Sequence, residues 1–168
     1  MNRAQHCLNR LLRTNAPGWS ILVRLVVGLV VFFPEGIQKL VFPEILDAGR
    51  FTHIGIPEPE FIGPFVGVVE TLCGALIILG LLTRLAAIPL IVIMIVAIVS
   101  TKIPILLGHD FWIFHVPKIP RYGFWSTMHE ARDDFGMLLG SLYLLIEGGG
   151  KWSLDALLSR SDLPSPAM

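Results

Sequence analysis

A single carboxylate, Glu70, interrupts an otherwise apolar run at 61–82, long enough to cross a bilayer. A charge at the centre of such a run costs about 2.5–3.5 kcal/mol, and each Leu, Ile, Val or Phe returns about 0.3–0.6 kcal/mol, so the run can hold one carboxylate and still insert. Such a group must face protein or a paired cation rather than lipid, which makes it a candidate for function. Three further charges, Arg24, Glu35 and Lys39, lie in the apolar run 19–42. With Gly28 and Val31 they follow steps of four and three, which places them on one helical face, and Glu35 and Lys39 form an i,i+4 pair. Two readings of that face stay open. Lys39 can snorkel to the interface with Glu35 neutralising it, or the face is a functional polar surface. A last charged group, His129, Glu130, Arg132, Asp133 and Asp134, opens the apolar run 126–146. Arg24, Glu35, Lys39, Glu70, Arg132 and Asp133 are thus the candidates for a buried polar or ligand-binding cluster.

Four helices are expected to position these residues, over 19–42, 61–82, 85–105 and 126–146. The middle two form a hairpin joined at Thr83-Arg84 with almost no loop, so they must be antiparallel neighbours. Gly63, Gly67, Glu70 and Gly74 share one stripe of the first arm, and small residues at this spacing let another helix approach closely. Gly28 is placed in the same way in the first helix. Gly136 and Gly140 repeat the spacing in the last, on the side carrying His129, Arg132 and Asp133, which is expected to face the bundle. The third run is read as contributing no polar residue, with Lys102 counted on the following loop. Glu70 sits about nine residues, or roughly 13 Å, from the loop-side end of its span.

The expected architecture is an all-α membrane protein, a four-transmembrane-helix bundle with both termini cytoplasmic. It comprises an N-terminal tail (1–17), the membrane domain (18–147) and a C-terminal tail (148–168) with a Ser/Pro-rich end. Within the tail Ser153 can cap a short surface helix. The loops at 43–60 and 101–125 lie on the opposite side, the second dense in aromatics suited to the membrane interface. Lys and Arg counts barely separate the two sides, and the orientation rests on Arg3, Arg10 and Arg13 before the first span. No cleavable leader is expected, because the first apolar run is too long for one.

Composition agrees with this reading. In 168 residues, 54% are hydrophobic and only 15% charged, with a mean hydropathy of +0.70, too apolar for a soluble domain, where about a quarter of residues are charged. Zero formal net charge and the absence of a basic block argue against a nucleic-acid partner. Cys7 and Cys73 are too far apart along the expected topology to bridge, and Cys73 near mid-membrane reads as packing rather than a reactive thiol. No histidine spacing matches a metal site. Haem is disfavoured because only His129 approaches a span. No phosphate loop or nucleophile elbow is present.

Several short motifs, in order, resemble one family: Arg24-Leu-Val-Val-Gly28, Gly36-Ile-Gln-Lys39-Leu40, Gly49-Arg50-Phe51, Gly55-Ile-Pro57, Glu70-Thr-Leu-Cys-Gly74, Gly80-Leu-Leu-Thr-Arg84-Leu-Ala-Ala and Gly150-Lys-Trp-Ser-Leu-Asp155. Together they are similar to the DoxX family of small four-helix membrane proteins. The chain departs from that pattern in carrying Glu35 where relatives have His before the first-helix Gly, and in its longer aromatic loop. The resemblance implies a multi-pass protein of the bacterial inner membrane. It also implies association with quinone-linked, sulfur or oxidative-stress complexes, with Arg24, Lys39, Glu70 and Arg84 at the family's charged positions. Two further readings stand beside a quinone- or lipid-binding redox subunit: a small transporter, or a non-catalytic scaffold. The expected partners are the lipid bilayer, a further copy of the chain, or other oxidoreductase subunits.

Overall fold

A computed structural model describes Thr14, residues 16–46 and residues 48–161. The arginines before the first span, Cys7 and the Ser/Pro-rich end lie outside the described residues. The described chain is helical with no strand, apart from an isolated bridge between Phe111 and Phe114. Three helices are long and apolar enough to cross a membrane: α1 (Gly18–Val41), α4 (Pro59–Leu79) and α5 (Thr83–Leu107). Between the first two, where an irregular loop is expected, sit the short helices α2 (Pro43–Leu46) and α3 (Ala48–Ile54). Helix α6 (Phe124–Glu147) packs along α5 and α1, and α7 (Leu154–Ser161) closes the described chain.

The long helices alternate in direction. The start of α1, the α4–α5 turn and the end of α6 meet at one end of the bundle, and the two long loops lie at the other. Val27, Val31, Cys73, Ile77, Leu90, Met94, Met137 and Leu144 fill the core between them. Outward faces are apolar too, with Leu22, Val26, Leu72, Leu139 and Ile146 at least 60% exposed, which in a helical bundle marks a surface covered by lipid. Trp19 and Trp152 stand exposed at one end, Trp112 and Trp125 at the other, where indole rings settle at membrane–water interfaces.

Glycines set the α1–α4 distance. A methyl group on Gly74 would lie 2.8 Å from the backbone nitrogen of Phe32, and one on Gly28 would lie 2.7 Å from Ile78. Gly63 and Gly67 are buried on the same stripe. Gly140 approaches Val27, whereas Gly136 faces open space. Accordingly Gly74→Val should force α1 and α4 apart and cost about 1–3 kcal/mol, the usual penalty of overpacking. Gly136→Ala should be neutral or stabilising by up to about 1 kcal/mol through helix propensity. Thermal unfolding in detergent compares the two, and equal midpoints would contradict the assignment.

Two stretches depart from α-helical winding. Val31–Ile37 forms a π-helical segment around Pro34, and Ile98–Lys102 forms another just before Pro104. Proline removes an N–H and crowds the preceding turn, and the wider winding relieves that conflict. The second segment has a larger consequence, because Ser100, Thr101 and Lys102 are all buried within a helix that continues to Leu107. The expected span ends at 105 and overlaps the loop expected from 101; the helix runs on to Leu107, and α5 does supply polar side chains.

Candidate functional site

A cavity of about 680 Å³ lies in the loop-side half of the bundle, among α1, α4, α5 and α6. Helix α3 and the aromatic loop roof it, through Ile54 and Phe114, both nearly buried. The roof is stitched together by the His115 N–H donating to the Ile54 carbonyl at 2.9 Å. Beyond the roof the loop is held by Asp110, which accepts from His115 Nδ1 and from the Val116 N–H. The hydrogen bond to His115 and that to Val116 keep this exposed carboxyl below its ordinary range.

The deep wall is an ion-paired triad. Lys39 Nζ lies 2.9 and 2.7 Å from the two carboxylate oxygens of Glu70 and 3.0 Å from Glu35 Oε2. Glu70 is fully buried and Lys39 only 7% exposed. Lys39 therefore does not snorkel: its stem crosses to α4 beside Gly67, where the missing side chain leaves room. A buried carboxylate without a cation would cost several kcal/mol, and this contact removes most of that cost. On the opposite wall Lys102 Nζ of α5 pairs with Asp134 Oδ2 of α6 at 3.1 Å. All four long helices thus bring a charged side chain to one cavity.

Arg24 is elsewhere. Its guanidinium donates to the carbonyls of Gly149 (2.8 Å), Trp152 (3.0 Å) and Ile78 (3.2 Å), clasping the segment after α6 to the terminal end of the bundle. Arg132 is also outside the cluster, exposed and bonded to the His129 carbonyl. Asp133 is exposed and stands at the cavity rim beside Glu130. The buried face of α6 runs through Thr127, Ala131, Met137, Ser141 and Leu144. That stripe brings Asp134 inward and leaves His129, Arg132, Asp133 and Gly136 outside, in place of the expected bundle-facing side. Physically, small and apolar residues win the interface while charges near the helix start stay in water. Ser153 caps α7, its Oγ accepting from the Ala156 N–H at 3.1 Å.

Arg50, Lys102, Glu130 and Asp134 are the cavity's charged residues outside the candidate cluster read from the sequence. The usable signal was Pro104, which sits in the first turn of a renewed helix as readily as it ends one. For Asp134 it was the small and apolar spacing from Thr127 to Ser141.

The cavity's apolar wall reaches the outer surface of the bundle. Phe61 and Phe65 of α4 and Val92 and Val96 of α5 line it while remaining about half or more exposed on the lipid-facing surface. The hairpin arms are joined tightly at Gly80 and Leu82, and these four residues lie away from that turn.

In comparisons with known proteins, the model of the DoxX family matches residues 20–103. "Uncharacterized membrane protein Rv3486" of Mycobacterium tuberculosis (strain ATCC 25618 / H37Rv) is 48% identical over 151 residues, spanning 90% of this chain and 88% of that protein. No solved structure matches.

Proposed function

The chain belongs to the DoxX family and is a multi-pass membrane protein, and on that premise we propose that it binds a quinone or lipid-like ligand in the cavity beside Glu70, as a membrane subunit of a redox-linked complex. The observation that carries the reading is the cavity's two-sided character. An apolar rim of Phe61, Phe65, Val92 and Val96 faces the bilayer, and an ion-paired wall of Lys39, Glu35 and Glu70 lies inside. A hydrophobic tail would remain in or near lipid while its polar head reached hydrogen-bonding groups, the usual composition of a small-molecule site.

In this reading α6 is the fourth crossing. Its 24 residues extend about 36 Å at 1.5 Å per residue, enough to span. Its charged first turns then lie at the loop-side interface beside Trp112 and Trp125. Both termini lie on the other side, taken as the cytoplasm, and the membrane is the bacterial inner membrane. The cavity residues, Asp133 at its rim included, form the binding site, whereas Arg24 holds the C-terminal segment. A permeation pathway is less well supported, because the terminal half of the bundle is filled by Val27, Ile77, Leu90 and Leu144. A homo-oligomer or an oxidoreductase partner would complete the assembly.

Titration of the purified protein in nanodiscs with a short-chain quinone tests this reading. Saturable binding is expected, with a loss of about tenfold or more for Ala97→Phe, which fills the cavity, and a weakening for Glu70→Gln. Absence of wild-type binding, together with no quinone in a lipid extract of the protein, would overturn it.

A further inference from the structure

The two lysines of the cavity are not equivalent. An ammonium has three N–H donors. Those of Lys39 face three carboxylate oxygens within 3.0 Å, so its donating capacity is taken up by the protein. Lys102 is just as buried, at 6% exposed, and its one ion-pair partner among the described residues is Asp134. Donor capacity therefore remains on Lys102, on a cavity wall, in surroundings where an unused N–H is costly. The charge around it is also lopsided. Glu35, Glu70, Glu130, Asp133 and Asp134 line the cavity against Lys39, Arg50 and Lys102, so carboxylates outnumber cations.

We propose that Lys102, positioned by Asp134, donates the hydrogen bond that recognises the ligand's head, and that this head is an uncharged carbonyl acceptor rather than a carboxylate or phosphate. This rests on the ligand-binding reading above and narrows it. An anionic head would gain Lys102 but meet an acidic surplus whose members are already paired or solvated, and bringing another anion there costs more than one ammonium returns. A quinone carbonyl carries acceptor oxygens without that penalty. Asp134 acts by holding the Lys102 stem against α6, so it is a positioning residue.

The test uses the full chain in phosphatidylcholine nanodiscs, titrated with a short-chain quinone and, separately, with dodecanoate. Wild type is expected to bind the quinone at least about tenfold more tightly than dodecanoate, and Lys102→Met to weaken quinone binding by about tenfold or more, as for loss of a hydrogen bond from a charged donor. Lys102→Arg, which keeps the cation, should retain binding within about threefold of wild type. Lys102→Met leaves Asp134 buried without a cation, so Lys102→Met/Asp134→Asn is measured beside it; it removes both charges and should show the same loss of affinity with a wild-type-like unfolding midpoint. Quinone binding unchanged in the double variant would overturn the role of Lys102 and leave the ligand-binding reading standing. Dodecanoate binding as tightly as the quinone would overturn the uncharged head. A wild type that binds neither would overturn both readings together.

Discussion

Glu70→Gln is expected to lower the unfolding midpoint of the detergent-solubilised protein by roughly 10 °C. Glu70 is fully buried and holds the Lys39 ammonium with both carboxylate oxygens at 2.9 and 2.7 Å. Removing one member of a buried pair costs about 3–5 kcal/mol, because the other remains as a poorly compensated charge. Glu35 still faces Lys39 at 3.0 Å, which puts the expected loss near the lower end of that range. In a chain of this size each kcal/mol moves the midpoint by about 2–4 °C. Lys39→Met should cost more, since it leaves Glu35 and Glu70 together without their cation. The double variant Glu70→Gln/Lys39→Met should recover much of the loss, since replacing both members of a buried pair is often close to neutral. A cycle of these variants should give a coupling of about 2 kcal/mol or more. Arg24→Gln should give no rescue, because Arg24 serves the other end of the bundle. A Glu70→Gln midpoint equal to wild type would contradict the ion pair.

Asp155→Ala should be nearly as damaging, although it lies beyond the last long helix. Asp155 is 1% exposed, and its carboxylate accepts the N–H groups of Leu82 at 2.7 Å and Thr83 at 2.9 Å. Those are unsatisfied donors at the start of α5, and Leu82 is held in a left-handed conformation (φ 49°) that a branched side chain seldom adopts. Gly80, at φ 68°, completes the turn and accepts the Asp155 N–H at 2.9 Å; a side chain there would run into Arg24 and Ser153. Arg24 lies within electrostatic range of the same carboxylate. Each hydrogen bond to a charged acceptor is worth about 1.5–3 kcal/mol, so Asp155→Ala should cost about 3–5 kcal/mol, while Asp155→Asn, which keeps one acceptor, should lose about half as much. Thermal unfolding with circular dichroism reads both. An Asp155→Ala protein that melts with wild type would show that the clasp is dispensable.

These two sites show what one sequence made legible. Periodicity located the long helices to within a few residues, because apolar runs of this length have few alternatives in water or lipid. The Gly63-Gly67-Glu70-Gly74 stripe was readable because 3.6-residue winding fixes which residues share a face. What spacing could not give was helix offset. Arg24 and Lys39 lie on the same face of α1, and only the packing of α1 against α4 decides that Lys39 meets Glu70 while Arg24 reaches Gly149 and Trp152. Local winding hid the rest. The π-helical segment at Ile98–Lys102 turns Ser100, Thr101 and Lys102 inward, in a helix read as contributing no polar residue and with Lys102 counted on the loop. On α6 the charged positions were visible, but Asp134 rather than Arg132 faces the bundle, a choice made by the small residues Thr127, Ala131 and Ser141 on the same stripe. Asp155 carried no chemical signal in the sequence beyond its place in a short motif.

The most direct measurement of the binding account is photolabelling of the protein in nanodiscs with an azido-substituted short-chain quinone, followed by mapping of the labelled residues by mass spectrometry. Label is expected on cavity residues such as Ile62, Val66, Ile93 and Ala97, to be lost with excess unlabelled quinone, and to be absent from the Ala97→Phe protein. Label spread over lipid-facing Leu22, Leu72 and Leu139, insensitive to competitor and to the cavity-filling substitution, would contradict a quinone site beside Glu70.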